Sequence, residues 1–286
     1  MTITIVEVRE SFPELECEPE PLGEGSFKIA FQCASDGSPL VLKIVKQALS
    51  EAEGVDEAEV PERVRRELVA MQAIHSDRVV RLLEGPDFRS IGDGTRLWYL
   101  EPLYPGGSLK ERLQQPLATA LTLQLCSDLL EGVSDIDEAR LVHRDIKPAN
   151  VVFDQEDRAV LLDLGIAYHL DLTDYTEPHL QSPKTAAYAA PEQFEERRAA
   201  IIDTRTDLFQ VGVVTFHALT GKHPFNLEDP AGYMERLMNG RVDEGALADA
   251  VAPEAFKKLL LRLLRPRPNQ RFRTVLAAQE ELRGIA

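Results

Sequence analysis

The chain has 286 residues, enough for one large domain or two modest ones that hide about three-quarters of the unfolded surface, and its 44% apolar content excludes a disordered protein. Forty-eight acidic against 32 basic residues leave a net charge of −16, which opposes non-specific binding to nucleic acid or to an anionic membrane face. No apolar run approaches the roughly 18 residues a membrane helix needs, and the start, MTITIVEVRE, lacks the basic-then-apolar order of an export signal.

Cys17, Cys33 and Cys126 are odd in number, far apart in sequence and without CxxC spacing. That argues against a disulfide framework or a zinc knuckle and for a reducing cytoplasm. The six histidines show no HExxH or related ligand spacing, so no zinc site is expected.

Residues 1–14 read as an N-terminal extension. From Leu15 to Val45 short strand-like runs alternate with turn signals, and Asp36-Gly37 sits at a hairpin position between two apolar stretches. Residues 47–62 carry six carboxylates and no base, which reads as a solvated acidic insert. Pro61 suits a first helical residue, and Val64, Leu68, Met71 and Ile74 then recur at helical spacing until His75-Ser76-Asp77.

Two further strand-like runs are expected at 79–83 and 97–100, ending in Pro102 and Pro105-Gly106-Gly107, the best linker in the chain. Beyond it, helical periods appear at 108–114, 118–136, 206–220, 230–239 and 253–264. Among them Val151-Val152-Phe153 and the run 159–162 suit a small hairpin turning at 154–157.

The densest chemistry is His143-Arg144-Asp145-Ile146-Lys147-Pro148-Ala149-Asn150, followed by Asp163-Leu164-Gly165 at the end of that hairpin. The Asp145 and Asp163 carboxylates and the Asn150 amide are oxygen donors that suit a hard cation. Upstream, Leu22-Gly23-Glu24-Gly25-Ser26-Phe27-Lys28 is a glycine turn between strands, and Lys43 follows Gly25 by 18 residues on the next strand.

Taken in order, the glycine turn, Lys43, Glu67, HRDIKPAN and DLG resemble the protein kinase family, Ser/Thr type. The resemblance implies an α+β, two-lobed kinase fold, with a small β-rich N-lobe at 15–101, a hinge at 101–107 and a larger, mainly α C-lobe at 108–286. It implies ATP and Mg2+ as cofactors and protein Ser/Thr hydroxyls as substrates, in one catalytic unit of the cytoplasm without nucleic-acid or membrane partners. Autophosphorylation is expected, and the acidic insert at 47–62 is a place for a regulator.

By the same resemblance Asp145 accepts the hydroxyl proton, Lys147 neutralises the transferred phosphoryl group, and Asn150 and Asp163 hold the metal. Lys43 contacts the α- and β-phosphates and pairs with Glu67, with Lys46 and Glu62 as weaker register alternatives. Leu22, Gly23 and Gly25 cover the nucleotide. Ala30 and Val41 lie above adenine and Val152 below it. Leu100 takes the gatekeeper position, and the Glu101 carbonyl and Leu103 N–H read the base. Met71, Leu82, His143 and Leu164 form the regulatory spine.

Further on, Thr185 and Tyr188-Ala189-Ala190-Pro191-Glu192 look like the family's threonine and APE element, Asp207 like its structural aspartate, and Arg271 like the arginine that pairs with Glu192. The surrounding Arg262, Arg265, Arg267 and Arg273 could form an anion patch, a reading set below the architectural one in so acidic a protein. Arg144 beside Asp145 suits activation by phosphorylation at Thr173, Tyr175, Thr176 or Ser182.

Two departures stand out. Lys28 replaces the third glycine, and DLG replaces DFG, both locally similar to the with-no-lysine kinases. Lys28 reads as a second phosphate contact or as an exposed hairpin lysine, the exposed reading being preferred. A pseudokinase acting as a nucleotide-binding module and a small-molecule kinase are the alternatives in function.

Overall fold

The computed structural model describes residues 3–49, 60–164, 168–169, 187–194 and 202–285. Most of the acidic insert and all of Thr173, Tyr175, Thr176, Ser182 and Thr185 lie outside the described residues. The chain divides into two compact units, residues 1–73 with 80–103, and residues 74–79 with 104–286.

The first unit is a five-stranded antiparallel sheet ordered β1-β2-β3-β5-β4, built from β1 (Glu16–Glu24), β2 (Lys28–Ser35), β3 (Ser38–Val45), β4 (Glu84–Ile91) and β5 (Gly94–Pro102). The expected turn between β2 and β3 is present: Asp36 and Gly37 both take positive φ, 49° and 75°, the conformation a tight two-residue hairpin demands. Alternation then sorts the side chains. Leu40, Leu42 and Ile44 of β3 join Trp98 and Leu100 of β5 in one buried apolar cluster, which leaves Val41, Lys43, Tyr99 and Glu101 on the opposite face.

Helix α1 (Ile5–Ser11) covers the apolar face and was not foreseen. It is closed at its start by a capping box in which Thr4 and Glu7 bond reciprocally. Val8 and Phe12 are fully buried, and the Phe12 ring meets Trp98 edge-on at 5.1 Å. Ile3, Val8 and Phe12 of the expected extension therefore belong to this unit's buried apolar cluster. Helix α2 (Glu62–Ala73) begins one residue after Pro61 and buries Val64, Glu67, Leu68, Ala70 and Met71.

The strand expected at 79–83 lies instead at 84–91. Within the first stretch Val79 bridges to Leu161, and the Leu83 N–H donates to the Leu100 carbonyl at 2.8 Å as the chain enters β4. The true strand, β4, is a mostly exposed sheet edge, so its polar sequence carries little apolar alternation.

The cysteine expectation is also overturned. Cys17 and Cys33 are 16 residues apart in sequence, but the β1–β2 register sets them directly opposite each other, Cα–Cα 4.0 Å, joined as a disulfide. Cys126 is buried and free, its thiol pushed up to about 12 by burial.

The second unit is mainly helical: α3 (Leu109–Arg112), α4 (Thr119–Glu138), α5 (Thr204–Thr220), α6 (Pro230–Asn239), α7 (Glu244–Asp249), α8 (Glu254–Leu263) and α9 (Val275–Arg283). Helices α7 and α9 were missed; both are short and open on side-chain caps, Asp243 and Thr274. Helix α5 is buried on nearly every side, as expected of a helix at the centre of a bundle. The small hairpin has β7 (Val151–Phe153) paired with β8 (Ala159–Leu161), and a two-residue strand β6 (Leu141–Val142) pairs with β9 (Tyr168–His169).

Candidate active site

The loop His143 to Asn150 is held by side chains of α5. The buried Asp207 carboxylate accepts from the backbone N–H groups of His143 and Arg144, both at 2.8 Å. One turn on, Gln210 accepts from the Ile146 N–H at 3.0 Å and donates to the Arg144 carbonyl at 2.9 Å. Gln193 donates to the same carbonyl at 3.0 Å. These bonds fasten Arg144 in a left-handed conformation, φ 68°, which a non-glycine residue keeps only when its surroundings over-determine it.

Within that frame the predicted catalytic groups come together. Lys147 Nζ donates to Asp145 Oδ2 at 2.6 Å, and Asn150 Nδ2 donates to the same oxygen at 3.1 Å and to the Asp145 carbonyl at 3.0 Å. The His143 ring contacts the Leu162 carbonyl at 3.0 Å, and the Leu162 N–H donates to the Asn150 carbonyl at 2.8 Å. The residue before Asp163 is thereby fixed to the loop.

Burial raises the pKa of Asp145 above the ordinary carboxylate range; Lys147 opposes the rise and Asp163 adds to it. Burial also raises Asp207, to about 6, against its two backbone bonds. The donors suit a hard cation. Asn150 spends its amide nitrogen on Asp145, which leaves its amide oxygen as a donor, and Asp163, next after the residue bonded to the Asn150 carbonyl, brings a carboxylate whose charge acts on Asp145.

Downstream, Glu192 and Arg271 pair through two bonds, 2.6 and 2.9 Å, with neither side chain exposed. Thr206 donates to the same Glu192 carboxylate at 2.9 Å. This is the expected architectural pairing, and it removes Arg271 from any anion patch.

In the first unit the lysines are distributed differently from expectation. Glu67 is paired with Lys28, whose Nζ also donates to the Tyr99 hydroxyl at 3.1 Å, and Tyr99 donates to Glu67 at 3.4 Å. Lys43 instead donates to the Glu101 carboxylate at 2.7 Å. The expected Lys43–Glu67 pair is thus replaced, and Lys28 is not an exposed hairpin lysine, since its side chain is only 20% exposed.

The gatekeeper expectation also fails by one residue. Leu100 points into the apolar cluster under α1, so the side chain on the Lys43 face at this end of β5 is Glu101. A shift of one residue in a strand exchanges its faces.

The remaining expected residues fall as follows. Leu22 is exposed on β1, Ala30 lies opposite Lys43 in register, and Val41 is buried opposite Glu101. A methyl group added at Gly23 would meet nothing within 4 Å, and one at Gly25 only the Lys28 carbonyl at 3.8 Å. Packing does not dictate glycine at either position. Val152 is half-buried on β7, Leu103 is half-buried after β5, and of the spine residues Met71, His143 and Leu164 are buried. Gln193, Gln210, Tyr99 and the carboxylate of Glu101 were not singled out by sequence; Gln210 had one signal, a polar residue one helical turn after Asp207 in an otherwise apolar helix.

No helix among the described residues is long and apolar enough to cross a membrane. Compared with known proteins, the chain is 25% identical to the probable serine/threonine-protein kinase pknA2 of Bifidobacterium longum over 95% of its own length and 36% of that protein's. It is 28% identical to the serine/threonine-protein kinase pkn3 of Myxococcus xanthus, over 92% of this chain and 48% of that one. It is 29% identical to the CBL-interacting protein kinase 4 of Oryza sativa, over 87% and 53%. The chain thus spans about a third to a half of the length of these relatives. The family model for the protein kinase domain matches residues 18–282, and the chain belongs to the protein kinase family.

Proposed function

We propose that this chain is an active serine/threonine protein kinase that transfers the γ-phosphoryl group of ATP, with Mg2+, to protein hydroxyls, its own included. The observation that carries the reading is the Asp145 carboxylate, held by Lys147 at 2.6 Å and Asn150 at 3.1 Å on a loop fastened by Asp207 and Gln210. A base must be fixed in place before its basicity matters.

Asp145 accepts the proton of the attacking hydroxyl as that oxygen bonds to the γ-phosphorus and ADP leaves. Lys147, beside Asp145, offsets negative charge developing on the phosphoryl oxygens. Asn150 and Asp163 are the groups that would hold magnesium, which supplies neutralisation of the phosphate charge when bound. The hinge reading moves with the strand register: with Glu101 in the gatekeeper place, the base falls to the Pro102 carbonyl and the Tyr104 N–H. Pro102 suits the first role, which needs no donor. The acidic stretch 47–62, next in sequence to α2, is the proposed place for a regulator.

Incorporation of labelled phosphate from ATP into the protein itself, and into a panel of basic and acidic proteins, tests this. Wild type should label and Asp145→Ala should not. Absence of label with wild type, together with thermal stabilisation by ATP, would replace the reading by a nucleotide-binding pseudokinase.

A further inference from the structure

The disulfide of the first unit is not sealed inside the core. A cavity of about 690 Å³ lies beside it, lined by Arg9, Glu16, Glu18 and Gln32 as well as by Cys17 and Cys33 themselves. We propose that Cys17–Cys33 is a thiol-exchange site, at which a small thiol of the amino-acid or peptide class forms a reversible mixed disulfide with Cys17. The assignment is independent of the phosphotransfer reading.

A thiolate attacks a disulfide sulfur along the line of the bond it breaks, so each cysteine is reached only from the side away from its partner. Those two sides differ. Strand β2 lies between β1 and β3, and the register sets Leu40 of β3, itself buried, directly across from Cys33. Attack on Cys33 would have to pass through that side chain. Among the described residues β1 is an edge of the sheet, and in place of a further strand the Cys17 carbonyl takes two bonds from the Arg9 guanidinium, at 2.7 and 3.3 Å. Cys17 is also the more exposed of the two, 5% against 2%. It is the sulfur that an incoming thiolate meets.

The lining states the class of thiol. Arg9 brings a cation, Glu16 and Glu18 bring carboxylates, and Gln32 brings an amide. Charges of both signs suit a thiol that carries an ammonium and carboxylates of its own, and the guanidinium draws its thiolate form.

In the step itself the thiolate sulfur bonds to Cys17 Sγ as the Cys17–Cys33 bond breaks, and Cys33 leaves as a thiolate that takes a proton from water. Return is built into the fold. The ladder pairs Glu16–Ala34 and Cys17–Cys33, the Arg9 bonds, and the bond from the Leu15 N–H to the Phe12 carbonyl at 3.0 Å all survive the break. Cys33 therefore stays opposite the mixed disulfide, where its thiolate re-attacks Cys17 and expels the small thiol. Cys126 is buried and inert.

The full chain, prepared without reductant, is to be incubated in mixtures of glutathione and its disulfide without denaturant, alkylated, and mapped by mass spectrometry. Wild type should exchange in minutes to hours, the scale of uncatalysed disulfide rearrangement. Both cysteines should become alkylatable as the proportion of glutathione rises and return to the disulfide as it falls, with the circular dichroism of the folded chain kept throughout. Alkylation during the reaction should find glutathione on Cys17 and the alkyl group on Cys33, and Cys33→Ser, or Cys33→Ala should the serine fail to fold, should trap the adduct on Cys17.

Arg9→Gln should slow glutathione about tenfold and neutral 2-mercaptoethanol less than about threefold, the scale of electrostatic steering, while Arg9→Lys keeps the wild-type rate. Should Arg9→Gln fail to fold, raised salt reads the same charge and should slow glutathione alone. A bond that exchanges only in denaturing urea, glutathione recovered on Cys33, or a fold lost on reduction overturns the site. Equal slowing of both thiols by Arg9→Gln or by salt overturns the class of ligand.

Discussion

Arg271 and Glu192 lie 79 positions apart in sequence and form a two-armed ion pair with no exposed side-chain surface, Nη1 to Oε1 at 2.6 Å and Nη2 to Oε2 at 2.9 Å. The remaining guanidinium donors reach the carbonyls of Arg205, Arg265 and Pro266, and the group lies over the Phe209 ring at 4.6 Å. Removing one partner strands the other in a dry site. Arg271→Ala should therefore lower stability by about 3–5 kcal/mol, read from urea unfolding. Arg271→Lys should recover only part, since a point charge cannot make both bonds. An Arg271→Ala protein as stable as wild type would show the pair to be incidental.

Transfer should fall on acidification along a limb set by Asp145, because a protonated carboxyl cannot accept the hydroxyl proton. Burial raises that pKa, so the limb should lie above the ordinary carboxylate range. Lys147 lowers the pKa of Asp145; hence Lys147→Met should move the limb to higher pH as well as reduce kcat. A pH profile whose acid limb is unmoved in Lys147→Met would separate the limb from Asp145.

Asp207 ties stability to pH. Its ordinary value is 3.8 and its folded value about 6, so between these the folded protein holds a proton that the unfolded chain has released. Stability should fall as pH rises through that window, by about 3 kcal/mol at most. Asp207→Asn should flatten the dependence. It should also cost about 1–3 kcal/mol throughout, because an amide offers one acceptor to the two N–H groups of His143 and Arg144. Denaturant melts at several pH values test both effects.

Phe12 is fully buried against Trp98, the single tryptophan of the chain. Phe12→Ala should cost about 3–5 kcal/mol and shift the tryptophan emission. Unchanged emission and stability would place residues 1–14 outside the core.

Under non-reducing conditions the denatured protein should titrate one thiol, Cys126, and three after reduction. The loop closed by Cys17 and Cys33 is short, so reduction should cost about 3 kcal/mol on the chain-entropy account. Three titratable thiols before reduction would rule out the bond.

What the sequence could show depended on how locally each feature is specified. Asp145, Lys147 and Asn150 lie within six residues of one another, so their spacing already implied their meeting. Asp36-Gly37 announced its turn because only certain residues tolerate two positive φ values in succession. The pairing of Lys43 was not legible in this way. It depends on which face of β5 each residue presents, and Leu100 and Glu101 are adjacent, so a step of one residue moved the gatekeeper from an apolar side chain to an acid. Cys17 and Cys33 met through strand register, which the turn at Asp36-Gly37 does not fix for β1. Helix α1 did carry a readable signal in Thr4 and Glu7, and β4 did not, since a sheet edge open to water is free of the alternation that marks a strand.

The hairpin of β1 and β2 is fastened at both ends, by a covalent bond between Cys17 and Cys33 and by the pairing of Lys28 with Glu67. Gly23 and Gly25 lie between the two fasteners. A displacement of α2 would reach the turn through the Lys28–Glu67 pair, and the two irregularities of the ladder, between Cys17 and Pro21 and between Pro21 and Gly23, are the places between the fasteners where the hairpin can yield.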